Sequence, residues 1–257
     1  MSVPTFLSLP YRTGKPRLSG LTHVLDKGIT SAAAASLIAE AGDHIDVWKF
    51  GWGTAYIDRS LKEKLKLLAD HDIGACLGGT LLEIAWAQGK ADECLDWAHR
   101  QGFPHVEVSR GVVPMSPTEK RELIRRAASR FIVLAETGSK DEAHQLHEDE
   151  WAAEVAGDLA AGAKWVVAEA RESGTVGLYD SAGDVREDIV DAVIAAGSPD
   201  RVFFEAPRKD QQAWFVRRFG ANVNLANVTL DDALSVETLR LGLRADTVGV
   251  GCQGVLA

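Results

Sequence analysis

The sequence predicts a (β/α)8 TIM barrel folded as a single domain, and three observations carry that reading. Short valine-, isoleucine- and phenylalanine-rich runs alternate eight times with longer stretches of helical periodicity, the pattern of a parallel sheet closed by crossover helices. The chain has 257 residues, 46% of them hydrophobic, which is ample for one large core and a common size for this barrel. No Gly-x-Gly-x-x-Gly follows the first strand and no composition break divides the chain, which disfavours a dinucleotide-binding sheet and a second domain.

Taken in order, an N-terminal arm (1–18) leads to a first strand at Leu21 to Leu25, ending in Asp26-Lys27-Gly28. Thr30 caps an alanine-rich helix from Ser31 to Ala41, which Gly42 can terminate. The second strand is Ile45 to Phe50, with Lys49 near its end and Gly-Trp-Gly-Thr54 after it. Leu61, Leu65 and Leu68 recur at helical spacing and place a helix over Ile57 to His71. The third strand, Ile73 to Leu77, ends in Gly78-Gly79-Thr80, where an anion can approach bare backbone N–H groups. Helical sequence then runs to Arg100 with a break near Gln88-Gly89.

His105 to Val108 is the fourth strand, carrying Glu107 and followed by Ser109-Arg110-Gly111. Ser116 caps a helix that opens on Pro117 and reaches about Arg130. Phe131 to Ala135 is the fifth strand, ending at Glu136, and Trp151, Val155 and Leu159 mark the stripe of the next helix. Ala163 to Ala168 is the sixth, running into Glu169-Ala-Arg-Glu-Ser-Gly-Thr175. A helix over Asp184 to Ala196 and a seventh strand at Arg201 to Phe204 follow, ending at Glu205 and Pro207-Arg208-Lys209. Gln211 to Phe219 is helical, Asn222 to Leu225 reads as the eighth strand, and Thr229 caps a last helix to about Leu243. The tail, 247–257, is apolar and glycine-rich, so it closes the barrel floor or meets a second subunit; a homo-oligomer is expected.

The formal charge of −9 and a pI near 5.3 argue against a nucleic-acid partner, and no stretch interleaves basic with aromatic residues. Three cysteines without a Cys-x-x-Cys pair indicate neither a disulfide framework nor a zinc knuckle. No run reaches membrane length, and the N-terminus lacks the pattern of a leader. A cytoplasmic protein without membrane contact is expected.

In such a barrel the carboxyl ends of the strands converge on one mouth. Read in order, those ends supply Asp26 and Lys27, Lys49, Thr80, Glu107, Glu136 and Lys140, Glu169 and Arg171, Glu205, then Asn224 and Asn227. Unpaired charge is not tolerated inside a sheet, so this ring is either an ion-pair network or a site for a metal and an anion. Three adjacent strands offer Glu107, Glu136 and Glu169, oxygen donors of the kind Mg²⁺ prefers. Lysines and arginines would hold small anionic substrates. His144 and His147 with Glu148 read as a solvated helix start, Cys76 as a core residue, and Trp52 as the one tryptophan at the mouth.

The chain also resembles the phosphosulfolactate synthase family. The resemblance lies in Asp26-Lys-Gly28, Lys49-Phe-Gly-Trp-Gly-Thr54, Gly78-Gly-Thr-Leu81, Gln88-Gly-Lys90, Glu169-Ala-Arg-Glu-Ser-Gly-Thr175, Phe204-Glu-Ala-Pro207, Asn222-Val-Asn-Leu225 and Glu237-Thr-Leu-Arg-Leu-Gly-Leu-Arg244. It implies a (β/α)8 barrel that uses Mg²⁺ to add sulfite to C3 of phosphoenolpyruvate, the first step of a route to coenzyme M. Two loops depart from the family pattern: Ser-Asp-Gly is replaced by Ser109-Arg110-Gly111, and Gly-Lys-Lys by Gly138-Ser139-Lys140.

On this basis Glu107, Glu136 and Glu169 are the expected metal ligands. Lys49 or Lys27, with Asp26 beside it, is the expected acid that protonates C2, its pKa depressed by neighbouring cations. Lys140, Arg171, Arg110, Gly79, Thr80, Asn224 and Arg208 are expected to bind substrate. Arg110, as a bidentate clamp, suggests a co-substrate bulkier than sulfite or carrying its own carboxylate or phosphate. A thiol, phosphite or other oxyanion as nucleophile, and a barrel that binds anions without turnover, are the alternatives.

Overall fold

Period-two alternation decides which side chains meet inside the sheet. In the computed structural model, which describes residues 6–138 and 146–251, eight parallel strands pair in sequence order and close into a barrel. They are β1 (Thr22–Asp26), β2 (Val47–Phe50), β3 (Gly74–Leu77), β4 (His105–Val108), β5 (Ile132–Thr137), β6 (Trp165–Ala168), β7 (Val202–Glu205) and β8 (Leu225–Thr229). Around them lie α1 (Ser31–Ala41), α2 (Thr54–Ile57), α3 (Leu61–Asp70), α4 (Gly79–Ala87), α5 (Ala91–Gln101), α6 (Pro117–Ala128), α7 (Glu148–Ala161), α8 (Glu187–Gly197), α9 (Lys209–Phe219) and α10 (Ala233–Arg240).

One residue parity faces out. Trp48, Phe50, Val106, Val166 and Phe204 pack against the helices in the larger core. The opposite parity fills the barrel with Leu21, Val47, Cys76, Leu134, Trp165, Val167, Phe203 and Ala226. Continuing that parity toward the carboxyl ends brings Lys49, Glu107, Glu136, Glu169 and Glu205 into the top layer of the interior, all of them buried.

Local signals hold where they are strong. Thr30 accepts a hydrogen bond from Ala33 N at 3.2 Å, and Ser116 forms a capping box with Glu119. The break at Gln88-Gly89 separates α4 from α5, with Gly89 at φ 69°. The expected helix over Ile57 to His71 is instead the short α2 followed by α3.

The eighth strand requires a correction, since it begins at Leu225 rather than Asn222. Asn224 lies at the floor, its carbonyl accepting Leu21 N at 3.0 Å and its amide facing the carbonyls of Pro199, Asp200 and Val202. A short polar side chain that satisfies backbone groups of two neighbouring loops ends the barrel there instead of extending the strand. Thr229 correspondingly ends β8, and α10 starts only at Ala233.

The N-terminal arm closes this floor. Arg12 makes a bidentate pair with Glu237, both contacts 2.8 Å, and Arg17 pairs with Asp46 at 3.0 Å. Beneath them Arg240, fully buried, donates to the carbonyls of Ala221, Val223 and Leu21. Of the tail, residues 252–257 lie outside the described residues. Among the described residues no helix is long and apolar enough to cross a membrane.

Candidate active site

The top layer opens into a cavity of about 390 Å³, lined by Lys49, Glu107, Glu136, Glu169 and Glu205 below and by Trp52, Thr80, Val112, Arg171 and Glu172 at the rim. Lys49 Nζ is its centre. It lies 2.9 Å from Glu107 Oε2, 3.7 Å from Glu205 Oε1 and 3.9 Å from Glu136 Oε2. Burial alone would lower the lysine pKa, but Glu107, Glu205 and Glu136 together outweigh it and raise the value above the ordinary range. The expectation of a lysine depressed by neighbouring cations is therefore overturned: its neighbours are carboxylates.

Glu107 is held twice, by Lys49 and by Gly79 N at 3.0 Å. Gly79 must be glycine here, because a Cβ would stand 2.2 Å from Ser109 Oγ. Glu205 accepts Ala170 N at 2.9 Å on one oxygen and the Asn227 amide on the other. Burial pushes its carboxyl up to about 7, Lys49 pulling it down and Glu136 pushing it up. Glu169 accepts Arg171 N at 2.7 Å. Behind it the backbone is packed tightly, for a Cβ on Gly177 would lie 2.1 Å from the Glu169 carbonyl oxygen.

Oxygen atoms of Glu136, Glu169 and Glu205 all lie within 4.8 Å of one another. Among the described residues, Glu107, Glu136 and Glu205 thus lie within 4 Å of the buried Lys49 ammonium, and burial first, with Glu136 adding to it, raises the Glu205 carboxyl. Asn227 Oδ1, buried and without a hydrogen-bond partner, lines the same space. A set of converging hard oxygen donors fits a divalent cation such as Mg²⁺.

The remaining predicted residues divide by position. Gly79, Thr80 and Arg171 line the cavity. Lys27 does not; at the rim it pairs with Glu172 and lies 5.2 Å from the centre of the Trp52 ring. Asp26 falls on the outward parity, where Oδ1 accepts Gly28 N at 2.7 Å and Ile29 N at 2.9 Å, while Oδ2 meets Trp48 Nε1 and Lys64 Nζ. It anchors the loop rather than facing the reaction space. Arg110 also points away: its Nε and Nη2 engage Glu154 at 2.9 and 2.6 Å. Arg208 pairs with Asp210 at 2.8 Å outside the cavity, and Asn224 is at the floor. Lys140 and Ser139 lie outside the described residues, as does His144. His147 is an exposed residue at the start of α7, and Cys76 is a buried core thiol.

The model of the (2R)-phospho-3-sulfolactate synthase (ComA) family matches residues 10–246. The chain belongs to the phosphosulfolactate synthase family. It is 44% identical over 244 residues to the phosphosulfolactate synthase of Bacillus subtilis, covering 94% of this chain and 97% of that protein. The phosphosulfolactate synthase of Methanothermobacter thermautotrophicus is 41% identical over 255 residues, covering 97% of this chain and 98% of that protein. Membership makes the chain an enzyme, a lyase of phosphosulfolactate synthase type. Among solved structures, a 3-hexulose-6-phosphate synthase superposes with a TM-score of 0.54 at 16% identity, covering 86% of this chain and 97% of that one. That likeness shows the barrel alone.

The family strings acquire distinct physical meanings on this fold. Lys49 and the Gly78-Gly79-Thr80 turn build the cavity, whereas Glu237 and Arg240 of the last string staple the floor. Glu205 and Asn227 line the cavity at its base yet stand outside the expected ligand and substrate sets, as do Glu172 and Ser173. The signal for Glu205 was present in the sequence, since it occupies the same parity at the end of its strand as Glu169 does.

Proposed function

We propose that the enzyme adds sulfite to C3 of phosphoenolpyruvate in a Mg²⁺-dependent reaction, giving (2R)-phospho-3-sulfolactate. The observation that carries this is a cavity in which the buried Lys49 stands within 4 Å of Glu107, Glu136 and Glu205 while Glu169 converges with the latter two, on a chain whose relatives bear that product's name. In the addition the sulfur lone pair forms the C3–S bond, and the C2–C3 π electrons move toward C2 and its carboxylate. C2 then takes a proton, and the phosphate ester stays intact.

Glu136, Glu169 and Glu205 would hold the cation, which supplies electrostatic stabilisation of the charge that develops on the substrate carboxylate. Lys49 is the residue placed to give C2 its proton. Glu205 and Glu136, two of the three carboxylates that hold that proton on Lys49, would engage the cation while Glu107 stays paired with the lysine, so occupancy of the site would weaken part of that pull and lower the lysine pKa. Arg171 and the N-terminus of α4 at Thr80 face the same cavity and suit the phosphate, through guanidinium charge and backbone N–H groups. The argument for a bulkier nucleophile rested on Arg110, and its engagement with Glu154 removes that argument.

Phosphoenolpyruvate with Mg²⁺ and, separately, sulfite, a thiol or phosphite, read by product mass, tests the reading. A sulfite adduct that disappears with chelator is expected. Phosphoenolpyruvate binding without product from any nucleophile would instead identify a non-catalytic anion binder.

A further inference from the structure

The eighth strand carries one residue more than the first can match. From Thr22 to Val24, β1 advances two residues while β8 advances three, from Leu225 to Val228, so β8 is bulged. Asn227 lies in this bulge at φ 51°, a left-handed conformation that asparagine tolerates better than most side chains do. Its backbone N–H donates to Nδ1 of His23 at 3.2 Å. His23 is fully buried in the barrel, tilted against Phe203 at 5.9 Å. Burial, then Lys49 and His105, hold its pKa well below the ordinary value, so the ring stays neutral and Nδ1 remains an acceptor.

The bulge carries the Asn227 side chain into the top layer. There Nδ2 donates to Glu205 Oε1, the oxygen that also lies 3.7 Å from Lys49 Nζ. Ala170 N occupies the other Glu205 oxygen. A chain of contacts therefore runs from an apolar part of the barrel interior to a carboxylate of the cavity: imidazole, bulged backbone, amide, carboxylate.

We propose that His23 is a positioning residue, holding the β8 bulge through the N–H of Asn227 so that the Asn227 amide fixes Glu205 and keeps its own Oδ1 facing the cavity. This deepens the reading of Glu205 as a cation ligand and rests on it. Loss of the acceptor would leave a buried N–H without a partner, and relaxation of the bulge to satisfy it would swing the amide away from Glu205.

Binding of Mn²⁺, followed by electron paramagnetic resonance, tests the proposal together with kcat, KM and melting temperature. His23→Leu removes the acceptor at similar volume; His23→Asn places an amide oxygen close to where Nδ1 stood. Asn227→Gly keeps the left-handed backbone and its N–H but deletes the amide. The expected result is that His23→Leu and Asn227→Gly each weaken Mn²⁺ binding by about tenfold or more, the scale of losses behind a metal ligand. His23→Asn should restore most of the affinity and turnover. Wild-type Mn²⁺ affinity in Asn227→Gly, or in folded His23→Leu, overturns the proposal, and so does a His23→Asn protein as impaired as Asn227→Gly. Should His23→Leu not fold, the other two variants decide by the same criteria. Glu205→Gln separates the two readings, because unchanged Mn²⁺ binding in that variant removes Glu205 from the cation's ligands whatever the His23 and Asn227 variants do.

Discussion

Lys49 Nζ stands 2.9 Å from Glu107 Oε2 inside the barrel, and both groups are almost wholly screened from solvent. A buried pair of this kind is costly to break from one side, on the order of 3–5 kcal/mol, because the remaining charge is left alone. Lys49→Met should therefore lower the melting temperature of the metal-free protein, and Mg²⁺ should recover more of it than in wild type. Turnover should fall by about 10²–10⁴-fold, the scale of a lost general acid. A variant with near-normal kcat would remove Lys49 from proton transfer.

Glu205 contributes to the pH response of the metal-free protein. Its carboxyl is raised from 4.5 to about 7, chiefly by burial, so the folded chain keeps a proton that the unfolded chain has released. Its contribution to stability is fully present below the ordinary carboxylate value and is lost as pH rises toward 7. A bound cation favours the ionised form and opposes that loss. The gain in melting temperature from Mg²⁺ over chelator should grow between about pH 5 and 7. A gain that is flat across this window, or shrinks with pH, contradicts the role given to Glu205.

What the sequence made legible follows from how locally each feature is encoded. Strand and helix alternation, the Thr30 and Ser116 caps and the break at Gly89 depend on a few neighbouring residues, and they stand where expected. Positions at the strand ends were harder, because one residue of parity moves a side chain from the cavity to the helix layer. Asp26 and Lys49 look alike as charged residues near strand ends, yet Asp26 contacts Trp48 and Lys64 outside the barrel while Lys49 enters it. Asn224 misled for a different reason. The polar flank of β8 belongs to the floor, and the bulge at Asn227 has no period to reveal it. Arg110 was unreadable because its partner, Glu154, lies 44 residues away on another element.

That partner also predicts how Arg110 behaves. Glu154 is shared with Lys120, whose Nζ lies 2.8 Å from it and 2.6 Å from the carbonyl oxygen of Glu136. Arg110→Ala leaves Glu154 with one cation instead of two, so the expected cost is modest, about 1–2 kcal/mol, and Lys120 keeps the strand end in place. KM for phosphoenolpyruvate should stay within about threefold, well short of the change expected from losing a charged contact to substrate. A KM raised tenfold or more at unchanged melting temperature would restore Arg110 as a substrate clamp.

Lys27 and Glu172 meet across the rim from the loops after β1 and β6, with Trp52 beneath the ammonium group. Both side chains are substantially exposed, at 38% and 44%, so the pair contributes little to stability. Its effect on an incoming anion is larger, because Glu172 cancels the positive charge of Lys27 at the entrance, beside Arg171. Glu172→Gln should therefore raise kcat/KM for phosphoenolpyruvate, and the gain should shrink as ionic strength rises and screens the field. Lys27→Ala should act in the opposite sense, raising KM while leaving kcat within about threefold, since uniform binding rather than transition-state stabilisation is lost. Steady-state kinetics at two salt concentrations distinguish these roles. A kcat loss in Lys27→Ala as large as that in Lys49→Met would place the proton donor at the rim, and the buried lysine would then serve only to neutralise the carboxylates around it.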